Sequence, residues 1–475
     1  MRGGDTAATG HLPTATGHPP AASRAAAGET PGGGETPGVG ETPGVGETPG
    51  GTPASDEIWR DGLLAGLDPR DLARTFGTPL HVYDLETLAG RAARLRAVLP
   101  DRVDVAYAVK SNPSLAVIAT LASAGLGADV SSEGELEAAL RAGMASRAIV
   151  VTGPGKSDRL LRRAVESGVR AIAVDSPGEV PRVEAAARAA GVTGQRARLL
   201  FRLARPGQTF GMSWEDALAA ARLAVTSDHL EPIGVHAFAV SSVLDAGTLV
   251  RHVQGTVDGA VRLAGAAGFP LALVDVGGGL GIPYRDGEKP LDLTSFAAGM
   301  GDVLAGLASR TGLGGTRVLV EPGRYLSGPS GAYLARVVDV KRLDGRHVAV
   351  LDGGINHLLA PALVGRRHRL RLVGSALPQD RPLDGRPLVP VTITGPLCTS
   401  LDVVGRLTAF PEPVPGDLVA VLDTGAYGFT QSMPWFLSHV GPAEVAIAGG
   451  RAALVRDRLD PATVVAAQGF PRFDV

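Results

Sequence analysis

The run LALVDVGGGLGIPY, Leu271 to Tyr284, sets the reading of this 475-residue chain. It opens as a short apolar, β-like segment and breaks into three consecutive glycines where a strand would end. Seven further runs share its form: VDVAYAVK (103–110), GADVSS (127–132), AIVVTGP (148–154), AIAVDS (171–176), ARLLFRL (197–203), PIGVHAF (232–238) and RVLVEPG (317–323). Stretches such as EGELEAALRAG and PGEVPRVEAAARAAG lie between them, apolar at helical spacing and closed by glycine. Eight strands alternating with helices point to an α/β fold, a (β/α)8 TIM barrel, with a doubly wound open sheet as the competing architecture. Position favours the barrel. Most runs end in polar or glycine residues: Lys110, Ser131, Gly153, Asp175, Arg202, His236, Gly277 to Gly279, and Glu321 to Arg324. Barrel enzymes assemble their sites at those C-terminal strand ends.

The flanks read differently. Residues 1–57 carry the repeat GETPGGGETPGVGETPGVGETPG, too rich in Gly and Pro to bury anything, so a disordered leader is expected. After Arg324 the helical rhythm fades. GAYLARVVDVKRLDGRHVAVLDGG, PLVPVTITGPLC and PGDLVAVLDTGAYG read as strands joined by turns, which predicts a mostly-β domain over 326–475. Segment 58–84, with PLHVYD, is expected to join that sheet before a barrel spanning 85–325.

Composition removes several function classes. Acidic and basic residues nearly balance, 48 against 46, which gives no electrostatic footprint for nucleic acid or an anionic membrane. No apolar run approaches the roughly 18 residues of a membrane span, and the first twenty residues lack the apolar core of a secretory signal. The single cysteine, Cys398, cannot form an internal disulfide. The expectation is a cytoplasmic protein with no metal, nucleic-acid or membrane partner.

Chemistry concentrates at three strand ends. Lys110, closing AYAVKSN, is either a solvent-facing lysine or a partly desolvated amine with a lowered pKa, able to form a Schiff base. The glycines of VDVGGGLG let bare backbone approach a phosphate, although tight turns also use glycine. Glu321 and Arg324 follow the last strand, where barrels often bind phosphate. An imine-forming lysine, a phosphate cradle and a buried acid together suggest pyridoxal 5'-phosphate, whose ring nitrogen needs a carboxylate partner to stay protonated. Glu321 is the natural partner.

With these residues in view, the chain resembles the fold-type III pyridoxal-phosphate decarboxylases, the family of diaminopimelate and ornithine decarboxylases, whose barrel alanine racemases share. The likeness runs from about Pro79 onward through YAVKSN, GADVSSEGEL, GPGK, VDS, GVHAF, DVGGGLGIPY, EPGR, GPLCTSLD and GAYG, in order. It implies that Lys110 holds the cofactor with Asp129 nearby. Ser241, Gly279, Gly323, Arg324 and Tyr427 would surround the phosphate, with Phe238 stacked on the ring and His236 and Gly278 also binding the cofactor. It implies a homodimer with shared sites, in which the loop carrying Cys398 enters the neighbouring subunit and the thiol protonates the substrate's α-carbon. An ordinary thiol is mostly protonated near neutral pH and can donate. Arg324, Asp352 and Thr399 would meet the substrate.

Departures from the family pattern concern the substrate. Thr399 stands where relatives carry an acid, Ala360 where diaminopimelate decarboxylases carry an arginine, and Val364 where a tyrosine is typical. Phe238 replaces a stacking histidine, Val240 a glycine and Ser242 a glutamine. DGGINH, GPLCTSLD and GAYGFTQSMPWFLSHVGPAEV resemble more closely a subgroup of secondary metabolism, some of whose members act on an amino acid tethered to a carrier protein. The expected reaction is therefore decarboxylation of an L-amino acid or of a carrier-tethered aminoacyl group. Lysine-biosynthetic diaminopimelate decarboxylation, a racemase-like activity and a non-catalytic homologue are the alternatives.

Overall fold

The computed structural model describes residues 58–191, 196–285, 287–375, 383 and 385–470. The leader, residues 1–57, lies outside them. Eight parallel strands close into a barrel: β1 Val103–Ala108, β2 Gly127–Val130, β3 Ile149–Val151, β4 Ala171–Val174, β5 Ala197–Arg202, β6 Leu230–His236, β7 Leu273–Asp275 and β8 Arg317–Val320. Val318 to Val320 pair with Val103 to Val105, joining the last strand to the first and removing both sheet edges. That closure decides against the open doubly wound sheet. Helices cover the outside, among them Glu133–Arg141 and Glu179–Ala190, the latter ended by Gly191 in the left-handed region at φ 60°.

Strand periodicity explains what reaches the barrel interior. Successive side chains on a strand point to opposite faces. Val105 and Tyr107 of β1 pack outward in the core between strands and helices, whereas Ala106 joins Val150, Ala171, Ala173, Leu200, Ile233, Leu273 and Leu319 in a small inner cluster. Two residues beyond that layer, the same parity turns Ala108, Asp275 and Glu321 inward, and on β2 it turns Asp129 inward between outward-packed Ala128 and Val130. Register sets these groups side by side, Ala108 opposite Asp129 and Asp275 opposite His236. At the other end of the barrel, Asp104 is paired with both Arg170 and Arg317.

The second domain is a nine-stranded, mostly antiparallel sheet. Its central strand Gly331–Leu343 pairs with Arg346–Leu351, Asp417–Leu422 and Leu80–Asp84. Leu80–Asp84 in turn runs parallel to Ala443–Ala448, so a segment ahead of the barrel is built into the sheet that follows it. Asp417–Leu422 is apolar at nearly every position because both its faces are buried. Leu418, Ala420 and Leu422 pack on one side of the sheet, Val419 and Val421 on the other. Contacts between the domains gather at the C-terminal end of the barrel, where Asn112 Nδ2 donates to Gly425 O at 3.0 Å and Tyr427 N donates to Ser111 O at 2.7 Å.

Candidate active site

β1 ends at Ala108 and the chain tightens into a 3-10 turn, Val109–Ser111, that presents Lys110 at the end of the barrel. Lys110 Nζ lies 2.5 Å from Asp129 Oδ2, and Asp129 Oδ1 accepts from Thr152 Oγ1 at 2.5 Å. Asp129 is fully buried, while the Lys110 side chain keeps 44% of its accessible surface through the open pocket it lines. Here the expectation of a lowered pKa is corrected. Burial does pull the ammonium down, but the Asp129 charge and then the Glu321 charge outweigh it and hold Lys110 above its ordinary value. The bare chain therefore stores this lysine as a cation beside a carboxylate.

Beneath Lys110 lies a buried floor of three groups. His236, Asp275 and Glu321 bring one ligand atom each to within 4.8 Å of one another, with His236 Nε2 at 3.8 Å from Glu321 Oε2. Burial pushes Asp275 up to about 7 and Glu321 well above the usual carboxylate range, the latter raised further by the charges of Asp129 and Asp275. Two adjoining buried carboxyls cannot both ionise cheaply, so the pair retains a proton. His236 is driven well below its ordinary value, by burial first and then by Arg202 and Lys110, and is neutral. Among the described residues, Glu321 Oε1, Asp275 Oδ2 and both His236 ring nitrogens lack a hydrogen-bond partner. An unpartnered acid oxygen under a pocket is what a protonated ring nitrogen requires.

The rim is backbone and cation. Phe238, Ser241, Ser242, Gly278, Gly279, Glu321, Gly323, Arg324 and Tyr427 line the same pocket of about 380 Å³ as Lys110. Gly279 adopts φ 122°, which side-chain-bearing residues rarely take. At Gly278 a Cβ would sit 2.5 Å from the Glu321 carbonyl oxygen, so the loop after β7 can pass β8 only as glycine. Tyr427 reaches the pocket from the β-domain with a positive φ of 54°, held by its bond to Ser111. The Arg324 guanidinium lies 4.8 Å from the Tyr427 ring centre and donates to Tyr284 Oη at 2.8 Å. A lysine, an aromatic side chain, a floor acid and a glycine-lined rim with one arginine fit the imine, ring, pyridine nitrogen and phosphate of pyridoxal phosphate.

Three of the expected substrate and acid residues are not among those lining this pocket. Asp352 accepts from Thr78 Oγ1 at 2.5 Å and from Arg336 N at 2.9 Å within the β-domain. Cys398 is exposed and Thr399 half-buried on a loop anchored by Asp402, whose oxygens accept from Ile355 N at 2.8 Å and Leu397 N at 2.7 Å. His236 belongs to the floor rather than the pocket wall. Sequence reasoning missed Asp275 and Thr152 as members of the site. Asp275 was accessible through strand parity, two residues after inward Leu273, but the glycines beside it drew the reading toward the phosphate.

Comparison with known proteins agrees with this geometry. The family model described as pyridoxal-dependent decarboxylase, pyridoxal binding domain, matches residues 85–328. A diaminopimelate decarboxylase of Methanothermobacter thermautotrophicus is 34% identical, covering 86% of this chain and 96% of its own. An L-glutamyl-[BtrI acyl-carrier protein] decarboxylase of Niallia circulans is 30% identical, covering 84% and 95%. The crystal structure of diaminopimelate decarboxylase from M. jannaschii in complex with L-lysine superposes with a TM-score of 0.80 at 27% identity, over 88% of this chain and 99% of that one. The chain belongs to the family of pyridoxal-dependent decarboxylases, with pyridoxal phosphate as its cofactor.

Proposed function

We propose that this protein removes the α-carboxylate of an L-amino acid, free or carried as an aminoacyl group on a carrier protein, as a cytoplasmic homodimer in specialised metabolism. The observation that carries the reading is the convergence of Lys110, Glu321, Arg324 and Tyr427 on one pocket. Bound pyridoxal phosphate supplies a ring into which the electron pair left by departing CO₂ can spread. In this reading Lys110 holds the cofactor through Nζ, and Asp129 keeps that amine in place. Glu321 holds the proton at the ring nitrogen, with Asp275 and His236 behind it. Ser241, Gly278, Gly279, Gly323, Arg324 and Tyr427 bind the phosphate, and Phe238 stacks on the ring. Arg324 also faces the substrate, together with Thr399 and Asp352.

Among the described residues that line the pocket there is no cysteine. In this proposal Cys398 of the partner subunit returns a proton to the α-carbon. Support comes from the surface: Cys398 is exposed beside Leu401, which is 62% exposed, and Trp435, Phe436, Leu437 and Val440 are also uncovered. Exposed apolar side chains in such number favour a covering subunit. The substrate reading rests on neutral side chains, Thr399, Ala360 and Val364, and on the likeness to the Niallia enzyme named for a carrier-bound glutamyl group.

Carbon dioxide release, followed by mass spectrometry with free and carrier-loaded amino acids, tests the reading. No release from any of them would sink it. A second reading, decarboxylation of diaminopimelate, is favoured by the names of other relatives. Efficient turnover of free meso-diaminopimelate by the purified enzyme selects it.

A further inference from the structure

Two arginines share one tyrosine at the edge of the pocket, and only one of them has been given a task. Arg324 of the barrel donates to Tyr284 Oη, with its guanidinium carbon 5.7 Å from the ring centre. Arg366, which follows the β-domain helix Ala360–Val364, places its guanidinium carbon 4.2 Å over the same ring. Stacking on an aromatic face stabilises a cation modestly. The Glu288 charge also favours the cation. Among the described residues Arg366 forms no ion pair or side-chain hydrogen bond, and its Nε is buried without a partner. The acid closest in charge, Glu288, is occupied by the backbone N–H groups of Tyr284 and Arg285 at 2.8 and 3.1 Å. Burial lowers the pKa of Arg366, and the neighbouring Arg324 charge lowers it further. Two guanidinium groups held beside one ring, neither of them ion-paired among the described residues, offer positive charge that an anion could satisfy.

We propose that Arg366 determines specificity: with Arg324 it clamps a second carboxylate on the substrate, selecting free amino acids with an acidic side chain. The inference rests on reading the Lys110 pocket as the decarboxylation site. Arg324 lines that pocket, and Arg366 stacks on the same Tyr284 ring that Arg324 touches. A planar guanidinium with a free Nε–H matches a carboxylate with two parallel hydrogen bonds. The phosphodiester of a carrier arm is separated from its thioester by many bonds and would lie farther out.

Visible-spectrum titration of the holoenzyme tests this. L-Glutamate is compared with L-glutamine, and L-2-aminoadipate with L-norleucine, in the wild type, Arg366→Gln and Arg366→Lys. The wild type should bind at least one acidic amino acid about tenfold or more tighter than its neutral counterpart, the worth of one charge-assisted pair. Arg366→Gln should abolish that preference and leave neutral binding unchanged, while Arg366→Lys keeps part of it. Glutarate, which has no amine and cannot react, should raise the wild-type Tm but not that of Arg366→Gln. The proposal is overturned by a variant that keeps the preference, weakens acidic and neutral ligands alike, or loses cofactor affinity. It is equally overturned if 4'-phosphopantetheine competes and glutarate does not. A wild type without any visible cofactor band sinks the pocket reading itself, whereas a normal band without acidic preference sinks only this inference.

Discussion

Lys110 and Asp129 form an ion pair, Nζ to Oδ2 2.5 Å, between the ends of two adjacent barrel strands. The carboxylate keeps the amine protonated, and only the uncharged amine can attack a carbonyl. Replacing Asp129 with Asn removes the largest influence that raises the Lys110 pKa, so that pKa must fall. The pH midpoint for attachment of pyridoxal phosphate to the apoprotein should move to lower pH in Asp129→Asn. An unchanged midpoint in stopped-flow absorbance would show that the pair does not govern Lys110. Lys110→Ala should show no covalent cofactor band at any pH.

Asp275 carries a pH signature of its own. Its folded pKa, about 7, lies above the ordinary 3.8, so between those values the folded apoprotein binds a proton that the unfolded chain has released. Its contribution to stability is present below the lower value and is lost as pH rises toward 7. Asp275→Asn removes that loss. Melting temperatures of apo wild type and variant, measured from pH 4 to 8, should diverge in slope across this window, and parallel curves would contradict the assignment.

Gly278 is needed for space. An alanine methyl would collide with the Glu321 carbonyl oxygen, a backbone atom that cannot turn away. Gly278→Ala should cost about 1–3 kcal/mol of stability and weaken cofactor affinity, because the displaced strand end carries Glu321. Denaturation and cofactor titration read the two effects separately.

Lys156 and Glu179 test the barrel's other buried charges. Both side chains are almost completely inaccessible and lie 3.0 Å apart. Glu179→Ala leaves a buried ammonium whose remaining hydrogen-bond partner, among the described residues, is the Gly153 carbonyl, with the Asp175 charge nearby, and should destabilise the fold by roughly 3–5 kcal/mol. The double variant Lys156→Met, Glu179→Leu should recover most of that in urea denaturation.

Cys398 is expected to act across subunits. Cys398→Ala should lower kcat by about 10²–10⁴-fold with cofactor binding retained. Mixing it with Lys110→Ala should then restore activity, since a mixed dimer has one site with both residues intact. Random exchange predicts about a quarter of the wild-type rate. Mixtures that stay inactive after exchange would remove the shared site.

The barrel was legible because its signals are local. Each strand is a short apolar run, several helices close at glycine, and polar or glycine residues recur at the same end of most runs. Pairing across the β-domain was less legible. Val403–Pro411, Ala443–Ala448 and Arg451–Arg456 find partners only through the sheet, and nothing local in them specifies which strand lies alongside. Lys110, Ser241, Gly279, Glu321 and Arg324 were readable as an ordered series of motifs, and the pocket brings them together. Asp275 and Arg366 were not read, because their environments are made by residues distant in the chain.

The amino-acid sequence by itself determined which residues face the barrel interior, since the two-residue period of a strand turns Asp129, Asp275 and Glu321 inward wherever the strand forms. It also determined where glycine must stand, after β7. Tertiary structure alone decided the charge states. Lys110 is held as a cation because β2 lies beside β1 and brings a carboxylate within 2.5 Å. Asp275 and Glu321 share a proton because closing the barrel removes both from water together. Electrostatic free energy depends on burial and distance, and both are set when remote segments meet.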